Sequence, residues 1–129
     1  MIGYVTVGTN DLERARAFYD SLFELIGATR LMVLPHGFTM WGTQMNRPGF
    51  VVTPPYDKSE ARPGNGNMVS LVVKERSQVD ALHARALDLG GSDEGAPGLR
   101  GPEGQQAFYG AYFRDLDGNK LCVFGMGPA

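Results

Sequence analysis

Asp115, Asp117 and Asn119 alternate in "YFRDLDGNKLCVF", which sets three oxygen-bearing side chains at the spacing that opens a calcium loop. Such a loop continues with further oxygen ligands and closes on a glutamate at its twelfth position. Here the alternation runs on to Leu121, and the twelfth residue is Met126. Asp117-Gly118 between apolar, strand-like runs reads instead as a hairpin turn, because both residue types tolerate positive φ.

The other groups able to do chemistry are few. His83 lies in "VDALHARALDLGG", one residue past the core-facing Leu82, which sets it toward solvent or the helix edge; His36 lies in the turn "LPHGF". One histidine on a helix and one in a turn do not make a pair at metal-ligand spacing. Cys122 needs an adjacent base or positive environment to become a nucleophile, and with no histidine expected beside it the reading is a buried, inert thiol. Arg114 ends a strand, where its planar fork could clamp an anionic substrate or form a solvated surface pair with Asp115 and Asp117. "ARPGNGNM" and "GLRGPEG" lack the strand-glycine-helix setting of a phosphate cradle and read as loops or cleft lids.

The elements that position these residues belong to an ordinary globular chain. A formal net charge of −2 gives no electrostatic reason to expect nucleic acid or an anionic membrane as partner. No apolar run approaches the ~20 residues that span a bilayer, and "MIGYVTVGTNDLERARAFYD" has no basic segment followed by an apolar one, so no signal peptide is expected. A single cysteine rules out an internal disulfide and points to a reducing, cytoplasmic setting.

"IGYVTVG" alternates and reads as a strand; Asn10 or Asp11 caps a helix whose face is Leu12, Ala15, Tyr19, Leu22 and Ile26, ended by Gly27. "ATRLMVL", "GFTMWGT" and "GFVVTP" follow as strands between turn formers. The second half repeats the order: strand "NMVSLVV", an N-cap at Ser77, a helical face of Val79, Leu82, Ala86 and Leu89, then strands "QAFYGAYF" and "KLCVF". "SDEGAPGLRGPEGQ" reads as one short strand plus loop. An offset of 64 lays Tyr4 on Met68 and Gly27 on Gly91, and one of 72 lays Trp41 on Phe113 and Phe50 on Cys122. We therefore read β-α-β-β-β twice, with module one over about 1–54, a linker over about 55–66 and module two over about 67–129 of a single domain.

The paired order, with "VTVGTNDLERARAFYDSLFELIGA", "VDALHARALDLGG" and "YFRDLDGNKLCVF", resembles the vicinal oxygen chelate superfamily, which includes glyoxalase I, extradiol dioxygenases, and bleomycin and fosfomycin resistance proteins. The resemblance implies an α+β fold of two βαβββ modules forming curved half-barrel sheets around a cleft, and a homodimer. Metal-dependent members take ligands, typically histidine, glutamine or glutamate, from the first and last strands of each module. Carried over, these positions fall on Tyr4, Phe50, Met68 and Cys122. Phe50 has no donor, Met68 is a soft thioether, and Tyr4 must lose a proton of pKa roughly 10 to bind well; only Cys122 suits zinc, as thiolate. No cofactor is predicted, and the side chains argue against a divalent metal.

Alternation puts Val5 and Val7 beneath the helix, leaving Tyr4 and Thr6 toward the implied cleft. By the same rule Phe50, Val52, Met68, Ser70, Cys122 and Phe124 join them, with Trp41, Tyr109 and Tyr112 at its rim and Arg114 nearby. This is an apolar cavity with a few hydroxyls, suited to a small molecule. Three readings follow: a metal-free small-molecule binder like the bleomycin resistance proteins; a glyoxalase-like lyase or isomerase in which Tyr4 is the candidate catalytic acid-base group; and a structural dimer whose cavity is filled by its own side chains.

Overall fold

The computed structural model describes residues 1–129. The chain runs β1 (Tyr4–Gly8), α1 (Leu12–Glu24), β2 (Thr29–Val33), β3 (Thr39–Gly42), β4 (Gly49–Thr53), β5 (Val69–Val72), α2 (Arg76–Asp88), β6 (Ser92–Leu99), β7 (Phe108–Arg114) and β8 (Lys120–Met126). The β-α-β-β-β order thus occurs twice, in an α+β fold. Four strands form one sheet in the order β1-β4-β3-β2, and four form a second in the order β5-β8-β7-β6. In each sheet the first strand lies parallel to the last and the remaining pairs are antiparallel. Unit one comprises Met1–Asn65 with Asp117–Asn119; unit two comprises Gly66–Leu116 with Lys120–Ala129. No helix is long and apolar enough to cross a membrane.

In unit one, α1 begins where the Asp11 carboxylate accepts from the Arg14 amide at 3.1 Å, and the chain turns out of it through Gly27 at φ +70°. Its buried stripe of Ala15, Phe18, Tyr19, Leu22 and Phe23 lies on Trp41 and Phe50. The Phe50 ring is 4.8 Å from that of Tyr19 and 5.3 Å from that of Phe23. Asp20 on α1 ties helix to sheet: it accepts from Trp41 Nε1 at 2.9 Å and from both forks of Arg30 at 2.9 and 2.7 Å. Burial raises the Asp20 pKa, but the hydrogen bonds from Arg30 and Trp41, with the charges of Arg30 and Arg16, outweigh it and leave the carboxyl below its ordinary value.

In unit two, Val79, Leu82 and Ala86 of α2 are buried, as are Ala111, Phe113, Leu121 and Val123 on the sheet face that packs beneath the helix. Two local expectations are corrected. The N-cap of α2 is Glu75, not Ser77, because Gln78 Oε1 turns back to accept from the Glu75 and Lys74 amides at 2.9 and 3.1 Å. The glycine-rich segment forms one strand, β6, followed by a loop, as read from the sequence, and the pairing of β6 with β7 shifts register twice, between Asp93 and Gly95 and between Gly95 and Gly98. His83 is buried, and its Nε2 lies 2.9 Å from Asp93 Oδ1 on β6.

The turn-rich segment after β4 does more than connect. Asn10 bonds Ala61 twice, donating to its carbonyl at 3.0 Å and accepting from its amide at 2.7 Å. Gly8 keeps this approach possible, since a Cβ there would stand 3.1 Å from Ala61 Cβ. Residues 55–62 are thereby held against the edge strand of unit one.

Candidate functional site

Each sheet has one face under its helix and one face open, and strand register decides which side chains share a face. In unit one, Tyr4 pairs with Gly49, Thr6 with Val51 and Gly8 with Thr53, whereas Val5 pairs with Phe50 and Val7 with Val52. The open face therefore carries Tyr4, Thr6, Val51 and Thr53. Tyr4 is 54% exposed and meets the Phe38 ring edge-on at 5.6 Å. Phe50 and Val52, expected in the cleft, lie instead on the face beneath α1. Trp41 is likewise buried there through its bond to Asp20.

The cause is one residue of register. Thr6 and Ser70 are equivalent by the offset of 64, and their sheet partners are Val51 and Cys122. The last strands are thus related by 71 positions, not 72, and a one-residue slip moves a side chain to the other face. The counterpart of Cys122 is Val51.

Beside Thr6, Gly8 and Thr53, residues Pro55, Tyr56, Asp57, Ser59, Glu60, Ala61 and Arg62 wall an open depression of about 760 Å³. The segment read as a linker supplies most of its polar groups.

In unit two, Ser70 pairs with Cys122 and Val72 with Phe124, while Tyr112 pairs with Cys122 and Arg114 with Lys120. These side chains share the open face, with Met68 two residues before Ser70. The structure thus brings together Met68, Ser70, Cys122, Phe124 and Tyr112. Phe124 stacks on Phe108 at 4.9 Å between ring centroids. Tyr109 lies on the helix side, where its hydroxyl donates to Asp80 at 2.7 Å. Arg114 is engaged by Glu94, Nε to Oε1 at 2.9 Å, and that contact holds the Glu94 carboxyl below its usual range.

Two cations on this face were not singled out in the sequence. The Arg100 guanidinium lies 5.5 Å and the Lys120 ammonium 5.6 Å from the centroid of the Tyr112 ring. The signal for Arg100 is its setting, "GLRGPEG", where glycines precede and follow an arginine at a strand end. Cys122 is 1% exposed, and burial pushes its thiol up against the opposing influence of hydrogen bonds from Ser70 and Tyr112 and of the Arg100 and Lys120 charges.

The family's metal positions, corrected for register, hold Tyr4, Val51, Met68 and Cys122. A valine has no donor, methionine offers only a soft thioether and a tyrosine must lose a proton to bind well, which leaves Cys122 as the one residue suited to zinc. No group of three or more histidine, cysteine, aspartate or glutamate side chains is placed to hold an ion. The donor set does not fit the divalent centre of metal-dependent relatives.

The sequence matches the family model of the Glyoxalase/Bleomycin resistance protein/Dioxygenase superfamily over residues 1–123. The chain belongs to this superfamily. Among solved structures, a glyoxalase/bleomycin resistance protein from Albidiferax ferrireducens T118 is 32% identical, with a TM-score of 0.85 over 97% of this chain and 98% of its own. Hypothetical protein SA1046 from S. aureus is 24% identical, with a TM-score of 0.71 over 97% of this chain and 92% of its own. Lactoylglutathione lyase from Agrobacterium tumefaciens is 19% identical, with a TM-score of 0.63 over 97% of this chain and 92% of its own, a likeness of fold. No curated protein sequence matches the chain.

Proposed function

We propose that this protein binds a small, partly aromatic molecule without the superfamily's divalent metal. The observation that carries the reading is the open face of β5–β8. Phe108, Tyr112 and Phe124 sit there on interior strands yet stay part-exposed, because α2 covers only the other face. Aromatic walls with a few convergent polar groups, here Ser70, Arg100 and Lys120, are the chemistry of small-molecule sites. The donor-poor set Tyr4, Val51, Met68 and Cys122 supports binding in place of Lewis-acid catalysis. A homodimer belongs to the same reading, as membership of the superfamily implies.

Elemental analysis of tag-free protein, offered zinc, nickel, manganese and iron and then desalted, tests the metal-free part. We expect far less than one ion per chain; stoichiometric retention would overturn it. Light scattering on the same sample should give the mass of a dimer, and a monomer mass would remove that element.

A further inference from the structure

Arg100 is held in place from behind. Its Nη1 donates to the Gly98 carbonyl at 2.9 Å and its Nη2 to the Ala96 carbonyl at 2.7 Å. Two glycines clear the ground it occupies. A Cβ at Gly95 would lie 3.2 Å from Arg100 Nη2 and 3.0 Å from Tyr112 Cδ2, and one at Gly98 would lie 3.3 Å from Arg100 Nη1. The carbonyls fix the plane of the guanidinium while leaving further N–H groups for an acceptor, since the group carries five donors. No carboxylate forms an ion pair with Arg100 or Lys120. Glu94, whose charge Lys120 also feels, is taken up by Arg114, and Asp93 by His83 and the Gly95 amide.

Two cations without a direct ion-pair partner thus lie against one aromatic ring, on a face that also carries Met68, Ser70, Val72, Phe108, Phe124 and the Arg114–Glu94 pair. We infer that this face takes an anionic aromatic small molecule, a carboxylate on a planar ring system, with Arg100 and Lys120 holding the carboxylate and Tyr112 and Phe124 receiving the ring. The assignment rests on the small-molecule reading above and supplies its ligand class. Arg100 gives the directed, forked donors and Lys120 the point charge.

The test uses benzoate, 2-naphthoate and indole-3-acetate, each against its primary amide, by titration calorimetry on the intact protein at low and high salt. Methionine-methyl NMR locates the site through Met68 and Met126. At least one acid should bind about tenfold more tightly than its amide, as for one hydrogen bond to a charged group. That margin should shrink at high salt and disappear in Arg100→Gln and in Lys120→Gln. Arg100→Lys should restore part of it, and Arg47→Gln, which removes an exposed charge from unit one, should leave it intact. Acid and amide binding equally, with Met68 and Met126 shifting, would overturn the anionic assignment and leave the small-molecule reading standing. Binding that shifts neither methionine would overturn the assignment to this face. No binding by any acid or amide would overturn both readings.

Discussion

The Asp117 carboxylate accepts a 2.6 Å hydrogen bond from the hydroxyl of Thr9, a residue 108 positions earlier in the chain. Its other oxygen accepts from the Asn10 amide at 2.9 Å. Both donors stand at the entrance to α1, where a helix leaves amides unsatisfied and a negative charge is favoured. Asn119 adds a bond from its side-chain amide to the Gly8 carbonyl at 2.9 Å. The aspartate spacing that resembles a calcium loop therefore serves hydrogen bonding to a helix N-terminus within unit one.

Asp117→Ala should destabilise the protein by about 2 kcal/mol, since the Asp117 side chain is only 4% exposed and its loss strands donors that have given up water. Asp117→Asn keeps an acceptor and should cost about half as much. Urea denaturation midpoints check both. Equal stability of Asp117→Ala and the native chain would refute the capping role.

Phe50 tests the register. As a core ring against Tyr19 and Phe23, its replacement by alanine should cost about 3–5 kcal/mol. Tyr4→Ala, on the open face and half exposed, should cost far less. Were Phe50 a cleft residue, the two substitutions would have similar effects on the melting temperature.

Which features were legible in the sequence follows from where local pattern suffices. The cap at Asp11, the turn through Gly27 and the repeated β-α-β-β-β order depend on neighbours in sequence, and each is present. The face occupied by Phe50 depends on how β4 pairs with β1. "GFVV" is apolar throughout, so alternation cannot choose its inner side. His83 was readable after all: Val79, Leu82, His83 and Ala86 follow the i, i+3, i+4, i+7 stripe, and the histidine is buried because Asp93 on the next strand gives its ring a partner. The bounds of β6 were not legible because glycine lowers strand propensity, while the close approach of Arg100 and Tyr112 to Gly95 and of Arg100 to Gly98 shows only in the folded chain.

Acid stability should depend on Asp20. Its folded-state pKa lies below the ordinary carboxylate value, so its contribution is fully present above the unfolded-state pKa of about 3.9 and is lost as pH falls through the lower folded-state value. Because the group is partly exposed, that contribution is under about 1 kcal/mol after solvent screening. Asp20→Asn should flatten the acid limb of the stability profile. Trp41 is the only tryptophan and its indole N–H bonds Asp20, so its fluorescence reports the same titration. An unchanged acid limb in Asp20→Asn would show that other carboxylates govern it.

Cys122 should react slowly with a disulfide reagent at neutral pH, and the pH dependence identifies why. Burial raises the thiol above its ordinary value, so the thiolate fraction at any given pH is smaller than that of an exposed cysteine, and the rate should climb only at higher pH. Ser70, Tyr112, Arg100 and Lys120 oppose that rise. Removing their help in Ser70→Ala or Lys120→Gln should move the rate profile further upward in pH, whereas a thiol limited by steric access alone would lose rate without moving its profile. Urea should abolish the protection at the unfolding midpoint. A native thiol reacting as fast as free cysteine at pH 7 would show that Cys122 is neither buried from the reagent nor raised in pKa.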